Sequence, residues 1–576
     1  MRPDVGFVIG LLPVAAAMLV MLGSTPPRRS VRLTAVALPI LSLTWLSVSN
    51  PGLRIFSKHG LFHASVLYRI SELGVPPDNP LLAGEPLRYH WGYELLGAAV
   101  SRAGGMPPSW SFALVNLGSL ALVLSLLALV AAGLFEERPR ALLSPLVAIF
   151  AITPIPLWWF KSTGVLNELV GPLMARATPV VQKFVNTNGA PLGLACLALA
   201  LLALRRSGSA RSMRRPGLAV AVVLCGVLYP PLLPALLITV ASFSLVEGLR
   251  SRPVAVRLVG GDAVACLVGI GVAVAAMAML GMRPGTSVRF FDPAFLAADL
   301  ASVVLTTAPI VLVIAAVWKP LRERADTLLV DQCLVAAATT AGCFLVVSFA
   351  DRNEYKFLLV SQLLVGLVGG AALAMVRSRF GSVTAAAVAL VFLGSFVQLY
   401  ATCCWLHRDA PSRLVEHGRW LRHPDAAQAA MYDWIGSHTP RDAVFVDSEP
   451  LVTVLGPRGL LVPPRSDSDD RLVESERGFI HRLDLMPVRV LGADRAVVVA
   501  RLKLVQSLLG GGADGVEEAR RRRARLDAGP LWVICRTADQ RRRLLALGAD
   551  EVYSGPSPSG VLSIMCWRED GSEVRP

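Results

Sequence analysis

Charge is scarce in this 576-residue chain: 17% of its residues are Asp, Glu, Lys or Arg, 54% are hydrophobic, and the mean hydropathy is +0.56. Soluble globular proteins carry roughly 25% charged residues, so the shortage excludes an ordinary cytosolic protein. The abundance of Leu, Val and Ala excludes a disordered one. Lysine is scarcer still, with six residues in all. The nine cysteines contain no CxxC pair, which argues against a structural zinc site. Cys196, Cys225, Cys266, Cys333 and Cys343 lie in apolar stretches, where a thiol behaves as a small hydrophobe. Ionisable groups are missing from the centre of every long apolar stretch, and these are the groups an ion-coupled transporter needs near the bilayer midplane.

What is there instead is length of apolar run. Stretches of about 20 residues recur from the N-terminus to about Trp405. They fall near 4–22, 31–49, 109–134, 141–160, 188–204, 217–247, 261–281, 298–318, 327–349, 356–376 and 382–406. The stretch 217–247 is too long for one crossing and is cut at Tyr229-Pro230-Pro231, which predicts two short helices meeting at the prolines. The expected architecture is therefore mainly α, a polytopic bundle of about 11–12 transmembrane helices. Asp262, Asp299 and Asp331 fall near predicted helix ends and are expected to reach the bilayer interface.

The net charge of +15 suggests nucleic acid only until it is divided. Residues 1–406 hold 31 Lys and Arg against 17 Asp and Glu, whereas residues 407–576 hold 25 against 24. Eighteen of the positive charges sit in alternate short loops: Arg28 to Arg32, Arg138 and Arg140, Arg205 to Arg215, Arg250 to Arg257, Lys319 to Arg324, and Arg377 and Arg379. That alternation is a topology signal for a multi-pass protein of the cell membrane, and the partner it names is the lipid bilayer, not nucleic acid. It places the long segments 50–108 and 161–187, both termini and the tail on the extracytoplasmic side. Arg28-Arg29 after the first stretch fits a retained anchor better than a cleaved signal peptide.

Composition changes sharply after Trp405. Pro424-Asp425 followed by AAQAAMYDWIGSHTP reads as a capped helix. The runs AVFVD, LWVICR and VLSIMCW read as strands, with QRRRLLALGAD as a helix between the last two. Alternating strands and helices predict a small soluble α/β domain over 407–576, able to fold alone, after a transmembrane domain over 1–406. The arginine-rich stretch Glu517 to Arg525 reads as a solvated helix face.

The first outward segment carries His59, His63 and His90, three of only eight histidines. His59 and His63 share a helix face, and with His90 they suit either an acid/base cluster or a divalent metal; the plainer alternative is an interfacial amphipathic helix with its polar tips at the headgroups. Asp78 and Glu85 sit among turn-forming prolines and glycines, as turn residues or as functional carboxylates. The identity of any cofactor stays open.

The run PPDNPLLAGEPLRYHWGYELL after a His-containing helix resembles the first outward loop of GT-C-type polytopic glycosyltransferases and their uncharacterised bacterial relatives. KFVNTNGAPLG (Lys183 to Gly193), the YPP break, DRNEYKF (Asp351 to Phe357) and an outward α/β domain opening near Trp434 to Val446 extend the resemblance over most of the chain. It implies inverting sugar transfer on the outer face, from a polyprenyl-phosphate-linked donor, with a loop acid as base. The family's acid lies just after the span that begins this loop, and NPGLRIFSKHG (Asn50 to Gly60) has none. Either His59, His63, His90, Asp78 or Glu85 takes that role, or the protein does not catalyse and serves envelope polysaccharide assembly; a transporter is the third reading. Lysine is a compact point charge suited to phosphate, so Lys58, Lys183 and Lys356, with Arg88 and Arg352, are the lipid-phosphate candidates, with interfacial snorkelling as the alternative. The expectation is that the loop residues share one cavity with Lys356.

Overall fold

A computed structural model describes residues 16–22, 58–150, 180–205, 212–250, 255–282, 288–349, 354–392, 425–461, 495–509, 530–555 and 562–567, with short gaps inside these runs and a few single residues over 29–41. The chain forms two compact units. One comprises Met1–Leu53, Phe112–Ala278 and Ser287–Ala410; the other comprises Arg54–Ser111, Met279–Thr286 and Pro411–Pro576. Hydropathy divides the chain once, near residue 406, whereas its contacts put the first outward loop in the same unit as the tail.

Two helices of the first loop come first in the chain, α1 (Lys58–Leu73) and α2 (Gly92–Gly104). The helical unit follows with α3 (Pro108–Ala131), α4 (Leu143–Phe150), α5 (Ala190–Arg205), α6 (Arg214–Leu228), α7 (Leu233–Arg250), α8 (Ala255–Met279), α9 (Pro293–Ala316), α10 (Trp318–Arg324), α11 (Thr327–Val346), α12 (Tyr355–Phe380) and α13 (Ser382–Val391). Among the described residues, six helices are long and apolar enough to cross a membrane, and α5 and α13 are shorter apolar helices. The stretches expected at 4–22 and 31–49, and the later parts of 141–160 and 382–406, fall largely outside the described residues. The proline break is as the sequence requires: α6 stops at Leu228, a 3-10 turn spans Pro230–Leu232, and α7 starts at Leu233.

Helix α12 is the axis of this unit, 94% buried over its apolar window against 28% for α8. Small residues allow that burial. A Cβ on Gly366 would lie 2.4 Å from the Ala148 Cα, and one on Gly370 would lie 2.4 Å from the Ser144 Cα, so α4 crosses α12 at backbone contact. Ser144 Oγ donates to the Leu367 carbonyl at 2.6 Å across that crossing. A short antiparallel pair, β1 (Val288–Phe290) with β2 (Val347–Phe349), leads into α12.

The tail contributes α14 (Ala426–His438), β3 (Val444–Val446), β4 (Gly459–Leu460), α15 (Arg495–Leu509), β5 (Leu531–Cys535), α16 (Ala538–Ala546), β6 (Asp550–Gly555) and β7 (Leu562–Trp567). Asp425 caps α14 reciprocally with Gln428, the capping box its sequence signals. The sheet runs β4-β3-β5-β7-β6, parallel at β4-β3-β5 and antiparallel at β5-β7-β6. Every residue of β5 and β7 is buried, the mark of central strands. Leu504 and Leu508 of α15 and Leu544 of α16 join Leu531, Val533 and Cys535 of β5 in one core. Burial pushes the Cys535 thiol up to about 12, so it is a packing residue and not a nucleophile. Glu517 to Arg525 lies outside the described residues.

The free edge of β4 is occupied by the first loop. Leu460 N donates to the Pro80 carbonyl at 2.9 Å, and Ala83 N donates to the Leu460 carbonyl at 2.8 Å. Leu82 packs on Val498 of α15. Gly459 has no room for a side chain here, because its Cβ would sit 2.9 Å from the Ala83 Cβ. A sheet edge left open is a pairing hazard, and the loop closes this one.

Candidate functional site

The loop acids are spent differently from one another. Asp78 is gripped by Arg69 through both carboxylate oxygens, Nε at 2.6 Å, while Arg69 Nη1 donates to the Arg441 carbonyl at 3.0 Å. Glu72 pairs with Arg441 at 3.1 Å. Glu85 lies 3.9 Å from Arg501, which donates to the Ala83 carbonyl at 2.7 Å and to the Leu461 carbonyl at 3.2 Å. Burial lowers the Arg501 guanidinium, with Glu85 opposing the shift. Asp78 and Glu85 thus stand at the join between loop and tail.

The fourth acid of the loop, Glu94, was not among the sequence candidates. It lies in the first turn of α2, fully buried, and its Oε1 is bonded to His63 Nδ1 of α1. The His63 ring is enclosed by aromatics: Tyr93 edge-on at 5.9 Å, Phe62 at 5.7 Å and Tyr89 at 6.2 Å between centroids. His90 is also buried but stacks on Tyr89 at 4.0 Å. The side chains of Lys58 and His59, and Arg88 and Arg352 entirely, lie outside the described residues. Among the described residues no group of three His, Cys, Asp or Glu side chains is disposed to hold a metal ion.

In the helical unit the structure brings Lys183 and Lys356 to one place. Lys183 sits in a 3-10 turn, Val180–Phe184, just before α5, whose start is fixed by Asn188 Oδ1 accepting from Ala190 N at 2.9 Å. Lys356 is in the first turn of α12, where Glu354 accepts from Phe349 N at 3.3 Å and Phe349 stacks on Phe357. Tyr355 joins the two: Lys183 Nζ donates to its hydroxyl at 3.1 Å and lies 4.2 Å from its ring centroid. Lys356 Nζ lies 5.0 Å from the ring centre of Tyr229 and 5.1 Å from that of Tyr355. Tyr229 is the tyrosine of the YPP break, seated where Gly193 of α5 leaves space for its ring. Both lysines are buried, 7% and 3% exposed.

Among the described residues no carboxylate reaches Lys183. A buried ammonium whose partner is a phenol keeps part of its desolvation cost, and an anion brought beside it would offset that cost. Cation–π contact with the Tyr355 ring orients the Lys183 charge without neutralising it. The arrangement is therefore suited to an anionic group, phosphate above all. Tyr229 and Tyr355 lay inside motifs the sequence had marked, YPP and DRNEYKF, but nothing in residue type alone assigns them a role.

No family model matches the chain, and no curated protein does. Among solved structures, ArnT from Cupriavidus metallidurans is similar over nearly its whole length. Its apo form has 13% identity and a TM-score of 0.50, covering 93% of this chain and 98% of that one. ArnT bound to undecaprenyl phosphate has 13% identity and a TM-score of 0.51, covering 95% and 100%. The Archaeoglobus fulgidus oligosaccharyltransferase AglB, in complex with an inhibitory peptide and a dolichol-phosphate, has 11% identity and a TM-score of 0.44, too slight a likeness to argue from. What the ArnT likeness establishes is the fold: this chain has the architecture of the GT-C glycosyltransferases, as its loop motifs led one to expect.

Proposed function

We propose that the chain is a GT-C-type membrane glycosyltransferase that moves a sugar from a polyprenyl-phosphate-linked donor to an acceptor hydroxyl on the outer face of the membrane. The observation that carries the proposal is the pair of buried lysines gathered around Tyr355, on a fold shared with a protein crystallised with undecaprenyl phosphate. In this reading Lys183 and Lys356 hold the donor phosphate as point charges, and they steady the negative charge that grows on it as the sugar departs. The phenol of Tyr355 sets the position of the Lys183 ammonium. Lys58, Arg88 and Arg352 remain the further phosphate candidates that the sequence names, and His59, His63, Asp78, Glu85 and His90 its candidates for the base. The outward placement of loop and tail rests on the loop arginines.

The test is binding and turnover. The purified chain in nanodiscs is expected to bind undecaprenyl phosphate and to consume an undecaprenyl-phosphate-linked sugar. The absence of an acid from Asn50 to Gly60 favours a second reading, a non-catalytic protein of the same architecture. Binding without consumption, over a panel of donor sugars, would select it. Orientation has its own check: alkaline phosphatase fused after His407 is expected to be active and fused after Arg215 inactive.

A further inference from the structure

We propose that α10 and the end of α12 form a binding site for the headgroup of an anionic phospholipid, with Lys319 and Arg379 as its charges. The site is independent of the glycosyltransferase reading, because it lies at the far end of α12 from Lys356. Charge is unevenly spent here. The seven-residue α10, WKPLRER, follows α9 and packs against α12. It and the last turn of α12 hold five cations, Lys319, Arg322, Arg324, Arg377 and Arg379, against one carboxylate, Glu323. Arg322 is spent on Asp331, which Arg250 shares, and Arg324 stands 3.8 Å from Glu136. Asp326 is taken by Arg205. Lys319 and Arg379 are exposed, and neither meets a carboxylate among the described residues.

Arg379 is held in place without being neutralised. Its Nη1 donates to the carbonyl of Ala316, the last residue of α9, at 3.3 Å, and its guanidinium lies 5.2 Å from the centre of the Phe380 ring. The carbonyl uses one N–H of the fork, which leaves the others for an anion. The depth of the site follows from its rings. Trp318 is 41% exposed and Phe380 53%, at the ends of two helices of membrane-spanning length. An exposed Trp at the end of a spanning helix sits in the interface, where the lipid phosphates lie. Lys and Arg beside such rings keep their apolar stems in the bilayer and their charges among those phosphates. A zwitterionic headgroup brings its own cation next to Lys319 and Arg379, whereas an anionic one does not. The ligand is therefore an anionic phospholipid, drawn to basic residues at the membrane surface.

The full chain in nanodiscs tests this, with phosphatidylglycerol as the probe against phosphatidylcholine. Native mass spectrometry is expected to find phosphatidylglycerol retained on the chain, and the melting temperature to rise with the phosphatidylglycerol fraction. Lys319→Gln and Arg379→Gln are each expected to weaken that lipid about fivefold, the scale of one basic residue at a membrane surface. Lys319→Arg should keep most of the binding, and high salt should weaken it in the wild type. Lys183→Met is expected to leave phosphatidylglycerol binding as it is, which separates this site from the proposed donor site. Arg379→Gln also loses its bond to Ala316; if that variant does not fold, Lys319→Gln decides alone, since Lys319 bonds nothing among the described residues. Unchanged retention in Lys319→Gln, or equal retention of phosphatidylcholine, would overturn the site. So would a melting temperature that soluble glycerol phosphate raises as much as the lipid does, because the ligand would then be a free phosphate. If the wild-type chain binds phosphatidylglycerol but not undecaprenyl phosphate, the donor reading falls and the headgroup site stands.

Discussion

Positive charge is handled in opposite ways at the two ends of the helical unit. At the end where α5 and α12 finish and α11 begins, arginines meet carboxylates: Arg205 with Asp326 at 2.6 Å, Arg250 and Arg322 with Asp331, and Arg214 with both Asp262 and Glu247. About 24 Å away, the length of the 16-residue α5, the charges are lysines and their neighbours are tyrosines. Arginine's planar fork matches a carboxylate and is satisfied by it; a lysine over a phenol ring is oriented but not neutralised. The first end is thus charge used to hold helices together, and the second is the charge that the proposed function assigns to a ligand. The same contrast recurs in the other unit, where arginines take Asp78 and Glu72 while Glu94 keeps one oxygen unused.

The sharpest way to break this contrast is at Arg214. Asp262 is buried in α8, in the first turn of its apolar span, bonded by Arg214 at 2.6 and 3.1 Å and by Ser244 Oγ at 2.6 Å. Removing Asp262 leaves the buried Arg214 with Glu247 as its remaining carboxylate and Ser244 without its acceptor, so the cost approaches the about 3–5 kcal/mol of a broken buried pair. Asp262→Ala is expected to lower the melting temperature and membrane yield steeply, read by fluorescence-monitored melting in detergent. A neutral result would mean that this end is not held by its ion pairs.

Next in size comes the join between loop and tail. Asp78→Asn leaves Arg69, itself 1% exposed, without its anion, and the expected cost is about 1–3 kcal/mol. Hydrogen exchange of residues 79–85 should quicken in this variant. An Asp78→Asn protein with unchanged exchange and lost transfer would instead return Asp78 to the catalytic list.

At the lysine end the expected effect moves from stability to affinity. Lys183→Met is predicted to weaken undecaprenyl phosphate binding tenfold or more, on the order of 1.5–3 kcal/mol for a bond to a charged group. Its melting temperature should hold or rise, since a buried ammonium with a phenol partner is gone. A large fall in stability with unchanged binding would place Lys183 with the arginines.

Much of this was legible in the sequence wherever the signal was local. The Asp425–Gln428 box, the YPP break and the strands LWVIC and LSIMCW depend on neighbours a few residues apart. β4 and β6 were not read, since β4 is two residues long and DEVYSG is polar. Nor was the closing of β4 by Pro80 and Ala83, a pairing across more than 370 residues with no periodicity to announce it. Glu94 escaped for a similar reason: in HWGYELLGAAV it is one acid in an apolar helix start, and only folding sets His63 beside it. Lys183 and Lys356 were nameable from lysine's rarity, but the tyrosines that orient them were not.

The smallest expected effect is at Asp331, and it tests whether burial or pairing sets the arginine end apart. Asp331 is shared by Arg250 and Arg322, whose side chains are 36% and 33% exposed. Exposed pairs contribute about 0–1 kcal/mol, and salt screens them over roughly 8–10 Å. Arg250→Ala also leaves Arg322 on the same carboxylate, so the loss is partly covered. The variant is expected to melt within a degree or two of wild type, with the difference shrinking in high salt. A double-mutant cycle with Arg322→Ala should then give a coupling that neither single change reveals, because only the double variant strips Asp331 of both partners. Orientation should not change either, since seventeen of the eighteen positive loop charges remain, and a phosphatase fusion after His407 is expected to stay active. If Arg250→Ala alone destabilises as much as Asp262→Ala, pairing rather than burial holds the arginine end, and the lysine end would need a structural account of its own.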